Sequence, residues 1–490
     1  MNSSSFRLAV VAALSTVGAP VPAALAQTRG ASITASRFAI THVTVIDVGI
    51  GRRLVDRTVI VVGNRIAQVG PSAALHVASG TRVVDGRGKY LIPGLWDMHV
   101  HALQSGRAVW MFPLFLANGI TGIRDTGAPL DSLLLYRPRL RSGQMPGPRL
   151  VAAGPILDEP PGPSAQVTMT VSSVEEGRRA VNSLANAGVD FIKVYNALSR
   201  DEFFAIVREA RRRGIPVIGH VPLALSAFEA SDAGLKSIEH LVRVPDVCIP
   251  DSLERLLDAE DKAAHARRPA ISPDSEQAMW VRMNMREAAA FDEARCKRAG
   301  AHFARSGTWQ VPTLELQHRQ GRRFLASDST RTDLQLRFVP APVLAGWMRF
   351  RDSTVAHAWR GQDQDSRYQT YARVTRALVR GGDGVLAGTD VGNAWVMPGF
   401  GLHGELLAFV RDAGLTPLQA LRSATLGPAE FLGATDSLGT VAAVRIADLV
   451  LLDADPLLDI RNTTRIRGVV ANGRYLNRAV LDSLLSSVEH

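Results

Sequence analysis

Cysteine is scarce. The 490 residues hold two, Cys248 and Cys296, and neither stands in a CxxC or beside a motif histidine. A zinc knuckle and a thiol nucleophile therefore have no support. Their spacing is compatible with one disulfide or with two buried thiols, because distance is not readable from sequence. Long basic runs are also missing. The net charge is +10, but the arginines are mixed with Glu and Asp in segments such as "REARRRG" and "FDEARCKRAG". No aromatic-interleaved patch accompanies them, so they read as solvated helix faces and no nucleic-acid partner is expected. No apolar run beyond the N-terminal stretch is long enough to span a bilayer, and no membrane span is expected. A GxGxxG loop after the first parallel strand is absent, which argues against a dinucleotide fold.

The chain opens on "MNSSSFRLAVVAALSTVGAPVPAALAQTRG". Arg7 supplies a positive n-region, "LAVVAALSTVGA" an apolar core, and "ALA" before Gln27 a small-residue cleavage site. Residues 1–26 read as a signal peptide, so a secreted or periplasmic protein is expected. An oxidising compartment would permit the disulfide.

Residues 37 to 90 alternate short β-rich runs with Gly and Asn turns, and a similar texture returns in "SLGTVAAVRIADLVLLDADPLLDI" and "IRGVVANGRYL". Neither end has enough strands alone, so 27–88 and 437–490 are expected to form one composite β-sandwich domain. Residues 89–436 alternate strands with helices. Helix starts are marked by Ser199 with Glu202, Ser172 with Glu175, and Thr416 with Pro417 and Gln419. The strands between read "LIPGLWDMHVH", "GITGIRDTG", "RLVAAGPIL", "FIKVY", "PVIGHV", "SIEHL", "WQVPTL" and "GVLAGTD". This α/β pattern fits a (β/α)8 TIM barrel better than an open doubly wound sheet. Helical insertions, 250 to 308 and 316 to 380, follow strands six and seven and are candidates for a substrate wall or lid.

"PGLWDMHVHA" places Asp97, His99 and His101 two apart, on one face of a strand. Other polar groups close other strands: Lys193 in "FIKVY", His220 after strand five, His240 after strand six and Asp390 after strand eight. Singly, each has an ordinary structural explanation. Jointly they place four imidazoles, an amine and a carboxylate at one barrel mouth, and burying that polarity without a metal would be costly. Asp97 reads as a structural carboxylate.

"IPGLWDMHVH", "FIKVY", "IGH", "IEH", "GTD" and "LHGELLAFVRDAGLTPLQALRSAT", in this order and spacing, resemble the metal-dependent amidohydrolase superfamily, in its imidazolonepropionase-like and prolidase-like peptidase branch. The resemblance covers nearly the whole mature chain. One departure is Arg445, where the family commonly reads Gly-Lys.

The resemblance implies two divalent ions, with His99, His101 and Asp390 on the more buried one and His220 and His240 on the second. Lys193 would be carboxylated by carbon dioxide, its carbamate bridging both. Imidazole and carboxylate donors suit zinc. The implied reaction uses a bridging water ionised near neutral pH, with Asp390 carrying its proton to the leaving amine. Tyr195, His403 and Asn393 are candidate substrate contacts. The expected substrate is a small molecule with an amide bond, a dipeptide or N-acyl amino acid; a cyclic amide or imidazolone, a deamination, or metal-stabilised binding without turnover are the alternatives. Nothing in the sequence fixes the oligomeric state.

Overall fold

The computed structural model describes residues 37–160, 162–266, 273–356 and 358–490. The expected signal peptide lies outside the described residues.

Both chain ends build one β-sheet. β1 (Arg37–Asp47), β2 (Arg52–Val62), β3 (Arg65–Pro71), β4 (Arg82–Asp85) and β5 (Tyr90–Pro93) come from the N-terminal side. The C-terminal strands Leu449–Leu452, Ile466–Ala471 and Arg474–Asn477 complete it, and the first of these pairs antiparallel with β5. In hydrogen bonding this is one continuous eight-stranded sheet. Alternating apolar residues give it a core of its own, with Ile40, Val43, Val59, Val61, Leu449 and Val470 buried together.

"LIPGLWDMHVH" is not one strand. β5 ends at Pro93 and β6 (Leu95–Val100) begins a second, parallel system. The break falls at Gly94, where a Cβ would lie 2.0 Å from Thr121 Oγ1. A side chain there would prevent the crossing from one sheet to the other.

β6 pairs in parallel with β7 (Ile120–Asp125), and β7 with β8 (Arg149–Ala152). "RLVAAGPIL" breaks into β8 and β9 (Ile156–Asp158), and a short extra strand, β10 (Thr168–Thr170), flanks β9. From β9 the parallel order runs through β11 (Ile192–Val194), β12 (Val217–Gly219), β13 (Leu235–Glu239) and β14 (Trp309–Val311). The expected eighth strand, "GVLAGTD", is extended but forms only isolated bridges, Gln310 to Val385 and Val100 to Val391. Backbone bonds from Leu386 to Gln310, Met98 to Ala387 and Asp390 to His99 nonetheless seat it between β14 and β6.

The helices lie where capping chemistry puts them. Ser199 and Glu202 form a reciprocal capping box on Arg200–Arg212, and Thr416 with Gln419 does the same for Pro417–Ser423. The start expected at Ser172 is one residue later: Ser173 accepts from the Glu176 N–H. Cys248 and Cys296 form a disulfide, which ties the segment after β13 to the helix Glu293–Ser306.

Candidate metal centre

Strand alternation and parallel packing bring the predicted polar residues to one cavity of about 300 Å³, lined by His99, His101, Lys193, His220, His240 and Asp390. Asp390 lies at its centre. Its Oδ1 is 3.2 Å from His101 Nε2 and 3.5 Å from His99 Nε2, and its Oδ2 is 3.8 Å from His240 Nε2. His220 joins from β12, its ring centroid 5.1 Å from that of His240. The donor atoms of His99, His101 and Asp390 all lie within 4.8 Å of one another.

Each imidazole is held by its other nitrogen. Nδ1 of His99 bonds Glu239 Oε2 at 2.6 Å, that of His101 bonds the Gly127 carbonyl at 3.0 Å, and that of His220 bonds Asn196 Oδ1 at 2.8 Å. His240 Nδ1 meets Thr313 Oγ1 at 2.8 Å. Carboxylate, carbonyl and amide oxygens accept, so Nδ1 of the first three carries the proton and Nε2 presents a lone pair to the cavity. This is how proteins orient metal-ligating histidines.

The backbone is bent to the same end. His240, Thr313 and Asp390 take φ values of 56°, 50° and 57°, in the sparsely populated left-handed region. Gly388 lets the segment before Asp390 pass β6, since a Cβ there would stand 2.8 Å from His99 Cβ.

Burial dominates the electrostatics. It pulls His99 down to about 3 and His240 to about 4, keeping both neutral. His99 Nε2 and Asp390 Oδ1 are both buried without a hydrogen-bond partner. A lone pair facing a carboxylate oxygen at 3.5 Å is repulsive unless a cation lies between them, so these residues fit a metal ion. Lys193 is 1% exposed, and burial lowers its amine to about 8. A neutral amine fraction near physiological pH is the form that reacts with carbon dioxide.

Of the expected substrate contacts, Tyr195 stacks on His220 with centroids 4.0 Å apart and lines the cavity. Burial pushes its phenol up to about 12, so it stays a hydrogen-bond donor. Asn393 also lines the cavity, its Nδ2 bracing the Asp390 carbonyl at 3.0 Å. His403 does not belong there. Its ring is committed to Thr463 Oγ1 at 2.9 Å and the Asn118 carbonyl at 3.1 Å, pinning its helix to the segment beside the C-terminal strands. An imidazole opening a helix after "GTD" looks the same in sequence whichever way it faces. Asp97 accepts from the Thr389 N–H and hydroxyl and braces the Asp390 segment, as a structural carboxylate would.

Sequence reasoning missed the support beneath the histidines. Glu239 is fully buried, and Arg124, also fully buried, reaches it at 2.9 Å. The signal was present: "GIRDTG" and "SIEH" each carry a charge inside an otherwise apolar strand. It also missed Arg107, which lines the cavity and donates to Gln104 Oε1 and the His101 carbonyl, with no carboxylate salt bridge among the described residues. A second cavity of about 480 Å³ continues outward past Tyr195, His220 and His240. The predicted insertions wall it, through Glu287 and Tyr371.

The amidohydrolase family pattern matches residues 90–258 and 344–476. A protein assigned as a prolidase from Bifidobacterium longum superposes with a TM-score of 0.67 at 24% identity, covering 93% of this chain and 99% of that one. Bottromycin amidohydrolase superposes at 0.71 with 25% identity, covering 92% and 91%. These likenesses establish a TIM-barrel-like α/β fold. Adenine deaminase 3 of Rhizobium meliloti (strain 1021) is 50% identical over 46 residues, a stretch covering 9% of this chain and 8% of that enzyme. With the family pattern extending over more than half of its length, the chain belongs to the amidohydrolase family, whose members hydrolyse carbon–nitrogen bonds.

Proposed function

We propose that the protein is an exported, binuclear metal-dependent amidohydrolase that cleaves the amide bond of a dipeptide or an N-acyl amino acid. The observation that carries the reading is the pair of orphaned buried atoms, His99 Nε2 and Asp390 Oδ1, facing each other within a ring of four anchored histidines. In this reading the eight strand segments close into a barrel spanning 89–436, and the two chain ends, 27–88 and 437–490, form the companion β-domain. Export is supported by the N-terminal sequence and by the Cys248–Cys296 disulfide, which suits an oxidising compartment.

His99, His101 and Asp390 would hold one ion, His220 and His240 a second, with a carbamate on Lys193 between them; zinc suits these donors. Divalent ions bound there supply Lewis-acid polarisation of a carbonyl and a lowered pKa for water. The chain does the rest. Asp390 takes the proton of the attacking water and returns it to the leaving nitrogen, a base in one step and an acid in the next. Tyr195 donates from its hydroxyl to the substrate. Arg107, a half-buried guanidinium without a carboxylate salt bridge, faces the same cavity and matches a substrate carboxylate. That favours a dipeptide or N-acyl amino acid over an uncharged amide.

A deaminase is the second reading, favoured only by the short matches to adenine deaminases. Metal-loaded protein incubated with dipeptides, N-acyl amino acids, cyclic amides and adenine, followed by mass spectrometry, separates them. Release of a free amino acid supports the proposal. Ammonia from adenine without amide cleavage supports the second reading. Bound metal without any turnover would leave a metal-stabilised binding protein.

A further inference from the structure

We propose that the outer cavity beside the metal centre takes a positively charged group, an ammonium or guanidinium on the acyl half of the substrate, with Glu287 as its counter-ion. The inference rests on the reading of the centre as an amide-cleaving site, and it narrows which amides fit.

The inner and outer cavities form one passage. Tyr195, His220, His240 and Asp390 line both. Arg107 lines only the inner one, and Glu287 only the outer one of about 480 Å³. A substrate whose leaving half gives its carboxylate to Arg107 therefore sends its acyl half outward, past Tyr195.

Charge on the outer wall does not balance. Apart from Asp390, three carboxyl groups line it, Asp246, Asp258 and Glu287, against two guanidinium groups, Arg243 and Arg367. Arg243 is taken up by two of the acids: its Nε is 3.1 Å from Asp246 Oδ2 and its Nη2 2.9 Å from Asp258 Oδ1. Glu287 is half-buried, lines the cavity and makes no salt bridge among the described residues; Arg367 acts on it only from longer range. Its carboxyl lies instead within hydrogen-bonding reach of Asp246, and burial together with that acid pushes it well above the usual range. Two carboxyl groups so close keep one proton between them. An arriving cation takes the place of that proton and satisfies both.

A further acceptor on the same wall lacks a donor. Gln317 lines the cavity at 5% exposure, and its Oε1 has no hydrogen-bond partner. An ammonium or guanidinium brings donors and no lone pair. An anion would be repelled by Glu287 and Asp246, and an apolar chain would leave the acceptors unpaired. Leu223 and Val242, half-buried on the same wall, give an alkyl stem a surface to lie on.

The test uses the metal-loaded full chain. N-acetyl-lysyl-leucine carries its positive charge on the side chain, norleucyl-leucine on the α-amino group, and N-acetyl-norleucyl-leucine has none. At least one charged substrate is expected to exceed the uncharged one in kcat/KM by about tenfold, and Glu287→Gln to bring that ratio close to one. Gln317→Leu, which removes the other acceptor, is expected to lower the ratio in the same direction. A preference for the lysyl substrate puts the charge on the side chain; a preference for free norleucyl puts it on the α-amino group. Calorimetric titration with the three acyl products, N-acetyl-lysine, norleucine and N-acetyl-norleucine, reads the cavity without turnover and is expected to give the same order of Kd. Equal values for charged and uncharged compounds in the wild type would overturn the proposal, as would a preference that survives in Glu287→Gln. A charged product that binds preferentially, with no amide cleaved, would uphold Glu287 as the counter-ion while the amide-cleaving reading fails.

Discussion

His99 Nδ1 and Glu239 Oε2 stand 2.6 Å apart although 140 residues separate them in the chain. Burial would raise Glu239, but Arg124 and His99 hold its carboxyl well below the usual range. An ionised acceptor fixes the imidazole tautomer and makes Nε2 a better donor to a metal. Glu239→Gln is therefore expected to cost about 10–100-fold in metal affinity or turnover. Metal content by mass spectrometry and kcat/KM at saturating metal measure it; full occupancy with unchanged kinetics would remove Glu239 from this role.

Asp390→Asn tests the proton carrier. The amide still offers an oxygen to a cation but accepts no proton. Retained metal and a fall in kcat of about 10²–10⁴-fold are expected. Rates like those of the wild type would exclude Asp390 as the base.

Arg107→Met tests the substrate's anionic end. A charge-assisted hydrogen bond is worth about 1.5–3 kcal/mol, so KM for an N-acyl amino acid is expected to rise at least tenfold. The same substrate with its carboxylate amidated is expected to lose nothing further in the variant. An equal loss for both substrates would mean that Arg107 acts through the Gln104 and His101 contacts.

Asp383 gives a pH-dependent stability. It is 6% exposed, neither carboxylate oxygen has a hydrogen-bond partner among the described residues, and burial pushes its carboxyl well above the ordinary range. A raised folded pKa means that the folded state holds the proton more tightly. The stabilisation is full below the unfolded value of about 4 and is lost as pH rises through the folded pKa. Asp383→Asn removes the ionisation, so its Tm is expected to fall less than the wild type's between pH 5 and pH 8, about the ordinary stability range. Parallel Tm curves would show that Asp383 does not titrate with folding.

The disulfide between Cys248 and Cys296 closes a loop with a sequence separation of 48. Replacing both cysteines with serine is expected to cost about 2–4 kcal/mol. Urea unfolding with and without reductant measures it; a reductant-insensitive midpoint in the wild type would mean that the bond does not form in solution.

Much of the cavity lining was readable because strand chemistry is local. A period of two puts His99 and His101 on one face, and a polar residue closing an apolar strand is conspicuous. Lys193, His220, His240 and Asp390 were found that way. His403, picked out because it opens the helix after "GTD", failed in three dimensions, because its ring turns toward Thr463 and Asn118 rather than the cavity. Arg124 and Glu239 were equally conspicuous, yet their meaning depended on meeting each other.

The sequence by itself determined the strand-and-helix alternation, the capped helix starts and the polar residues at the strand ends, since each is decided by neighbours a few positions away. Only the tertiary structure decided which nitrogen each histidine presents, that Gly94 divides one apparent strand between two sheets, and that the eighth segment sits between β14 and β6 with little ladder of its own. Those outcomes rest on contacts between residues far apart in the chain, and a linear pattern does not encode the direction from which a partner arrives.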